Sequence, residues 1–115
     1  LTELQVTVGD DVELQLDVNE SYSMRIPQDG GIAQLTAATQ YGAIHGLETF
    51  TQLVSLDVHG DGSTSVLKYA PWQIDDAPRF PWRGLMLDTS RHFFPVEAIE
   101  GLITAMTYSK LNVFQ

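Results

Sequence analysis

Apolar and polar side chains alternate along the first third of the chain and predict β-strands. The alternation runs over residues 4 to 8 and 22 to 26, with the period of two that is typical of a half-buried strand. A Gly-rich turn sequence at 28 to 31 then leads into a returning strand at 32 to 36. Residues 12 to 18 also alternate and fit either a strand or a variable loop. This part of the chain therefore predicts an antiparallel sheet with one apolar face.

After Thr39 the spacing of the apolar residues changes to three and four, which predicts a helix. Two glycines, Gly42 and Gly46, lie one turn apart on this helix. Each costs about 1 kcal/mol in helix propensity relative to alanine, so we expect the sheet surface to approach closely there. The predicted apolar stripe consists of Tyr41, Ile44, Leu47, Phe50 and Val54.

The segment that follows the helix contains a turn, a strand and a junction. Residues 58 to 65 predict a surface turn, and residues 65 to 74 predict a strand that is broken by Pro71. Two prolines at 78 and 81 then impose an extended, stiff backbone on residues 75 to 81. This junction separates two units.

The last part, residues 83 to 115, predicts a strand, a helix and a second strand, which is a parallel βαβ unit. The apolar run at 85 to 87 shows no alternation, as expected of a strand covered on both faces. Pro95 suits the first turn of the helix, and 111 to 114 form the second strand. The stripe of this helix consists of Val96, Ile99, Leu102, Ile103 and Met106.

The pattern therefore predicts an α+β unit at 1 to 78 and the start of a parallel α/β unit at 79 to 115. Two parallel strands and one helix leave apolar faces uncovered, so we expect the sequence to continue beyond Gln115. Leu1 is not a Met and begins no signal-peptide pattern, which indicates an internal or processed piece.

Composition excludes several classes of protein. The 43% hydrophobic and 18% charged residues are those of a globular chain. The net charge is −10 over residues 1 to 78 and +1 over 79 to 115, and such an acidic first unit argues against a nucleic-acid partner. No apolar run approaches the ~20 residues of a membrane span. Without cysteine the chain has neither disulfides nor thiolate metal sites.

Candidate chemistry is concentrated in residues 88 to 92, where an acid, two hydroxyls, a guanidinium and an imidazole directly follow a predicted strand. In parallel α/β proteins ligands bind at such loops. Arg91 offers a planar fork of hydrogen-bond donors, but from the residues alone a structural salt-bridge or capping role explains it better. His45 and His59 lack ligand spacing, so no metal site is predicted. For His92 we expect packing or a loop position. Trp72 and Trp82 flank prolines near the junction, which favours inter-domain packing over stacking on a ligand.

Three blocks of this sequence resemble the β-N-acetylhexosaminidases of glycoside hydrolase family 20, and they occur in the family's order and at about its spacing. The resemblance is closest to lysosomal or secreted eukaryotic members. The blocks are YGAIHGLETFTQL at 41–53, PRFPWRGLMLDTSRHF at 78–93 and KLNVF at 110–114.

The resemblance implies an α+β accessory domain that ends near Pro78, followed by the first strand, helix and second strand of a (β/α)8 TIM barrel. The family's substrate-binding arginine maps onto Arg91. Arg83 lies at the opposite end of the same strand and is expected to be structural. Asp88 would orient Arg91 or cap the loop. We expect neither a cofactor nor a metal.

The resemblance also implies substrate-assisted catalysis, in which the 2-acetamido oxygen of the sugar attacks the anomeric carbon. The family's Asp-Glu pair lies on later strands, so no catalytic residue is expected before Gln115. The expected partner is a glycan that ends in N-acetylhexosamine, and the whole protein is expected to be lysosomal or secreted and homo- or heterodimeric.

Where the family continues with His-Trp-His, this chain has Gln115. The alternative is therefore a truncated, non-catalytic relative that serves as an interaction or carbohydrate-binding module.

Overall fold

A computed structural model describes residues 1–59 and 62–115, which divide into two units, Leu1–Pro78 and Arg79–Gln115. The first unit is built from short strands around a single sheet-bound helix within the described residues. Its elements are β1 (Glu3–Asp10), β2 (Tyr22–Ile26), β3 (Ile32–Thr39), α1 (Gln40–Leu53), β4 (Val54–His59), β5 (Gly62–Leu67) and β6 (Trp72–Asp76).

The main sheet has the strand order β1-β3-β2-β6 and is mixed. Strand β2 pairs antiparallel with both β3 and β6, whereas β1 pairs parallel with β3. The prediction of an antiparallel sheet was therefore wrong for β1. Strand β3 lies between β1 and β2, and the long connection from β1 to β2 lets β1 take the outer position in parallel with β3. Residues 11 to 21, which cross between the two strands, form no strand, so the loop alternative is correct for 12 to 18.

The predicted β2–β3 hairpin is confirmed. Met24 pairs with Leu35, and the turn between the strands contains Gly30 at a φ of +75°. The Asp29 carboxylate accepts a hydrogen bond from the Gly31 N–H at 3.1 Å, a local bond that stabilises such turns. Alternation in the strands and turn chemistry between them were sufficient to locate this element.

Helix α1 packs closely on the sheet through its two glycines, as predicted. A Cβ atom on Gly42 would lie 2.5 Å from the Ser21 carbonyl oxygen. A Cβ atom on Gly46 would collide with the side chain of Leu35. The close approach helps to bury Met24, Ile26 and Leu35 completely in the core.

The predicted apolar stripe of α1 is wrong for half of its length. Ile44 and Leu47 are 58% and 39% exposed, and the buried helix residues are Gly42, Ala43 and Gly46. Small residues let the helix axis approach the sheet, so the helix turns its glycine face inward and its branched side chains outward. Only the end of the predicted stripe, at Phe50, packs against the core.

The region after α1 contains more strand than predicted. Strands β4 and β5 form an antiparallel hairpin, so the surface turn predicted at 58 to 65 is too long. Its connection at residues 60 and 61 lies outside the described residues. The strand predicted at 65 to 74 is two strands, β5 and β6, which lie on either side of Pro71 and belong to different sheets.

The second unit has the predicted order of strand, helix and strand: β7 (Gly84–Leu85), α2 (Val96–Tyr108) and β8 (Val113–Phe114). The two strands pair in parallel, as expected, with Gly84 opposite Val113 and Leu85 opposite Phe114. A hydrogen bond from the Leu87 N–H to the Gln115 carbonyl at 2.7 Å extends the contact beyond the strands.

The strand over 85 to 87 is not covered on both faces, contrary to the prediction. Met86 is 73% exposed, while Leu85 and Leu87, which alternate with it, are half-buried. On α2, Met106 is buried but Val96 and Ile103 from the predicted stripe are exposed. Pro95 is the N-cap of the helix, one residue before its first turn.

Candidate functional site

The loop of residues 88 to 92 leaves the carboxyl end of β7. The backbone stays beside Gln115 as far as Leu87, and Asp88 is the first residue beyond this contact. A tight turn over 89 to 91 follows at once. Asp88 and Arg91 therefore lie beyond the carboxyl end of the strand, which is where α/β proteins bind ligands.

Asp88 uses its two carboxylate oxygens for different contacts. Oδ1 accepts hydrogen bonds from the backbone N–H groups of Ser90, at 2.9 Å, and Arg91, at 3.2 Å. Oδ2 lies 3.3 Å from Nε of the Arg91 side chain. Asp88 thus both closes the turn and contacts the Arg91 guanidinium, the two arrangements expected for it from the sequence.

Both members of this ion pair are open to solvent. The Arg91 side chain is 82% exposed and that of Asp88 is 46% exposed. Exposed pairs of this kind contribute at most about 1 kcal/mol to folding stability. The pair is therefore poorly explained as a device that stabilises the fold, and the Arg91 guanidinium is accessible to a ligand. His92 at the end of the same loop is exposed as well.

Arg83 lies at the other end of β7 and is part of the backbone scaffold. Its Nε donates to the Lys110 carbonyl at 2.8 Å, and its Nη1 donates to the Phe80 carbonyl at 2.8 Å. Lys110 has a left-handed backbone, with a φ of 55°, at the end of α2. Arg83 therefore joins the start of β7 to the turn that ends the helix, which is the structural role expected of it.

Asn112 completes this scaffold and was missed by sequence reasoning. Its Oδ1 accepts from the Arg83 N–H at 3.0 Å, and its Nδ2 donates to the Pro81 carbonyl at 2.7 Å. Its own N–H donates to the Arg83 carbonyl at 3.0 Å. The available signal was a single polar amide inside the otherwise apolar run 111 to 114. We call these contacts of Asn112 with Pro81 and Arg83 the asparagine clasp.

The remaining candidate side chains lie outside the loop of residues 88 to 92. Trp72 packs against the core of the first unit, and its indole donates to the Lys68 carbonyl at 3.0 Å. In the second unit, Trp82 is 53% exposed and lies over Gly84. His45 is largely buried, with Nδ1 3.2 Å from the Glu20 carboxylate.

The described residues 1–59 and 62–115 contain no group of three or more His, Cys, Asp or Glu side chains placed to hold a metal ion. No helix in this part of the chain has the length and apolar content to cross a membrane.

Two family models match the chain, one in each unit. A model described as "beta-acetyl hexosaminidase like" matches residues 1–53. The model of the "Glycosyl hydrolase family 20, catalytic domain" matches residues 80–115, which include the Asp88–Arg91 loop.

Named relatives match nearly the whole chain. It is 44% identical to Beta-hexosaminidase 1 of Arabidopsis thaliana, over 98% of this chain and 22% of that protein. It is 43% identical to Beta-hexosaminidase subunit B2 of Dictyostelium discoideum, over 99% of this chain and 20% of that protein. The chain thus spans about a fifth of the length of these relatives.

Solved structures extend the similarity to the fold. The chitobiase of Flavobacterium johnsoniae matches with a TM-score of 0.78 and 38% identity, over 96% of this chain and 16% of that one. An exo-β-N-acetylglucosaminidase from Vibrio harveyi, solved with N-acetylglucosamine, matches with a TM-score of 0.70 and 27% identity, over 96% of this chain and 16% of that one.

Proposed function

Because the chain belongs to glycoside hydrolase family 20, we propose that it forms the front portion of a β-N-acetylhexosaminidase. The observation that carries this proposal is the 44% identity to a β-hexosaminidase over 98% of the chain. The substrate would be a glycan with a terminal, non-reducing β-linked N-acetylglucosamine or N-acetylgalactosamine.

The proposed reaction is hydrolysis with retention by substrate-assisted catalysis, which departs from the scheme with two enzyme carboxylates. The 2-acetamido oxygen of the sugar attacks the anomeric carbon while a Glu protonates the leaving oxygen. Water then opens the oxazolinium intermediate. The Glu, and the Asp that positions the acetamido group, would lie in sequence outside residues 1–115, so no residue of this chain is assigned a catalytic role.

Arg91 is the proposed substrate-binding residue of this chain. Its exposed guanidinium at the carboxyl end of β7 can donate to two adjacent sugar hydroxyls from one planar fork. Asp88, which contacts it at 3.3 Å, is the proposed supporting residue. We assign neither residue to a metal or a cofactor.

The same proposal divides the chain by domain. Residues 1–78 would form the accessory α+β domain, and residues 79–115 would form the first strand, helix and second strand of a TIM barrel. The match of the catalytic-domain model to 80–115 supports this division. We further propose a lysosomal or secreted location and a dimeric protein; relatives named as subunits, from Dictyostelium discoideum and Mus musculus, support assembly from more than one chain.

The test uses the full reading frame that contains this chain. We expect it to hydrolyse the chromogenic β-N-acetylglucosaminide and β-N-acetylgalactosaminide but not the matched β-glucoside, which lacks the attacking acetamido group. Equal rates on the glucoside would exclude the substrate-assisted mechanism. No turnover of any of the three by a folded product would favour the non-catalytic binding module.

Arg91→Lys in the same protein tests the site. One ammonium cannot reproduce a two-pronged donor, so we expect kcat/KM to fall by about a hundredfold, the equivalent of about 2.7 kcal/mol of lost transition-state binding. Lys110→Arg, which changes a cation outside the site, is the control and should leave kcat/KM unchanged. An unchanged value in Arg91→Lys would remove Arg91 from the site.

A further inference from the structure

The Asp88 carboxylate makes more contacts than are needed to form the exposed turn. One carboxylate oxygen, Oδ1, already fixes the turn by accepting from the Ser90 and Arg91 backbones. The second oxygen, Oδ2, is then held beside Nε of the Arg91 side chain, at 3.3 Å. The turn and the guanidinium are thus positioned by the same side chain, three residues away in sequence.

The atom that Asp88 contacts determines what remains for a ligand. Nε is the inner nitrogen of the guanidinium, and the Asp88 contact is recorded at this atom; the far edge of the group is formed by the terminal nitrogens Nη1 and Nη2. The two N–H groups on the outer edge of the fork match a pair of adjacent hydroxyls. An acid that contacts Nε therefore orients the guanidinium and leaves Nη1 and Nη2 available. An acid that contacted Nη1 and Nη2 would compete with the ligand.

We propose that Asp88 is a positioning residue, which holds Arg91 through Nε so that its two terminal nitrogens face the hydroxyls of the terminal sugar. This inference rests on the proposed function and deepens it. An arginine side chain has many rotamers, and ordering it on binding reduces affinity. Asp88 restricts the rotamers of the Arg91 side chain before the substrate binds, which reduces this loss of affinity.

The two carboxylate oxygens of Asp88 make separate contacts, and two variants test these contacts separately. Asp88→Asn keeps an oxygen that can accept from the Ser90 and Arg91 N–H groups but removes the negative charge beside Nε. Asp88→Ala removes both. In the full-length enzyme, we expect Asp88→Asn to lower kcat/KM for the chromogenic N-acetylglucosaminide about tenfold at an unchanged melting temperature. Asp88→Ala should lower both kcat/KM and the melting temperature.

A double-mutant cycle then asks whether Asp88 acts through Arg91. In an Arg91→Ala background, assayed with a fluorogenic substrate at high enzyme concentration, adding Asp88→Asn should cause no further loss. A merely structural acid would instead lower activity by the same factor in both backgrounds. The proposal is overturned by such additivity, by unchanged kcat/KM in Asp88→Asn, or by a folding defect in that variant.

These outcomes are distinct from failure of the proposed function. If the wild-type protein hydrolyses none of the N-acetylhexosaminides, the proposed function itself fails and the role of Asp88 fails with it. If the wild type is active and Arg91→Lys is impaired while Asp88→Asn is not, the function stands and only the positioning role is lost.

Discussion

In the first unit Met24, Ile26 and Leu35 are fully buried between the sheet and helix α1, whereas in the second unit Met86 and Ile103 lie open to solvent. The first unit is ordered by close packing of apolar and small side chains. In the second unit, side-chain-to-backbone hydrogen bonds from Arg83 and Asn112 hold two very short strands together. The unit with the buried core therefore depends mainly on apolar packing, and the unit with the candidate ligand site depends more on polar contacts to the backbone.

The largest expected effect is loss of packing in the first unit. Leu35→Ala removes a fully buried side chain from the core and should lower the free energy of unfolding by about 2 to 5 kcal/mol. Ile32→Ala, at a half-exposed position of the same strand, is the control and should cost about 1 kcal/mol or less. Urea unfolding followed by circular dichroism measures both. Equal losses would mean that strand β3 is not held by core packing.

An intermediate effect is expected from adding one methyl group to a helix. Gly42→Ala places a Cβ within 2.5 Å of a backbone oxygen, so we expect a destabilisation of about 1 to 3 kcal/mol despite the better helix propensity. Gly101→Ala on α2 meets no atom within 4 Å and should instead stabilise its helix by up to about 1 kcal/mol. The two substitutions are chemically identical, so a shared sign in thermal melts would contradict the described packing of α1.

The smallest effect is expected in the second unit. Asn112→Ala removes two hydrogen bonds of the asparagine clasp and should weaken the β7–β8 contact by about 1 to 2 kcal/mol, because both lost partners are backbone groups. Faster amide hydrogen exchange at Leu87 and Gln115, with unchanged exchange in β2 and β3, is the expected result. Asn112→Asp retains the oxygen acceptor and should lie between Asn112→Ala and the wild type. Equal acceleration in both units would show that their stabilities are not separable.

Features encoded by local patterns were predicted correctly. Alternation and a Gly-rich turn located the β2–β3 hairpin, and spacing located both helices and the parallel pairing of β7 with β8. The parallel position of β1 depends on a long connection whose path no local pattern records. The buried face of α1 was missed because the predicted stripe followed the large apolar side chains, although the cost of Gly42 and Gly46 did predict the close approach.

The candidate site was predictable to the extent that it is local. Asp88 and Arg91 are three residues apart in a turn, so their contact follows from sequence spacing. Asn112 was missed because its partners, Pro81 and Arg83, are about thirty residues away and meet it only when the two strands pair. The sugar-binding role of Arg91 stays a prediction, since a sugar site also needs side chains from other parts of the protein than this loop.

The asparagine clasp also fixes the register of the two strands. Two residue pairs, Gly84 with Val113 and Leu85 with Phe114, are too few to favour one alignment strongly over its neighbours. A slip by one residue would move the chain about 3.3 Å along the strand and turn each side chain to the opposite face. Because Asn112 bonds to both Pro81 and Arg83, it favours the alignment in which β8 lies beside β7 at Gly84 and Leu85.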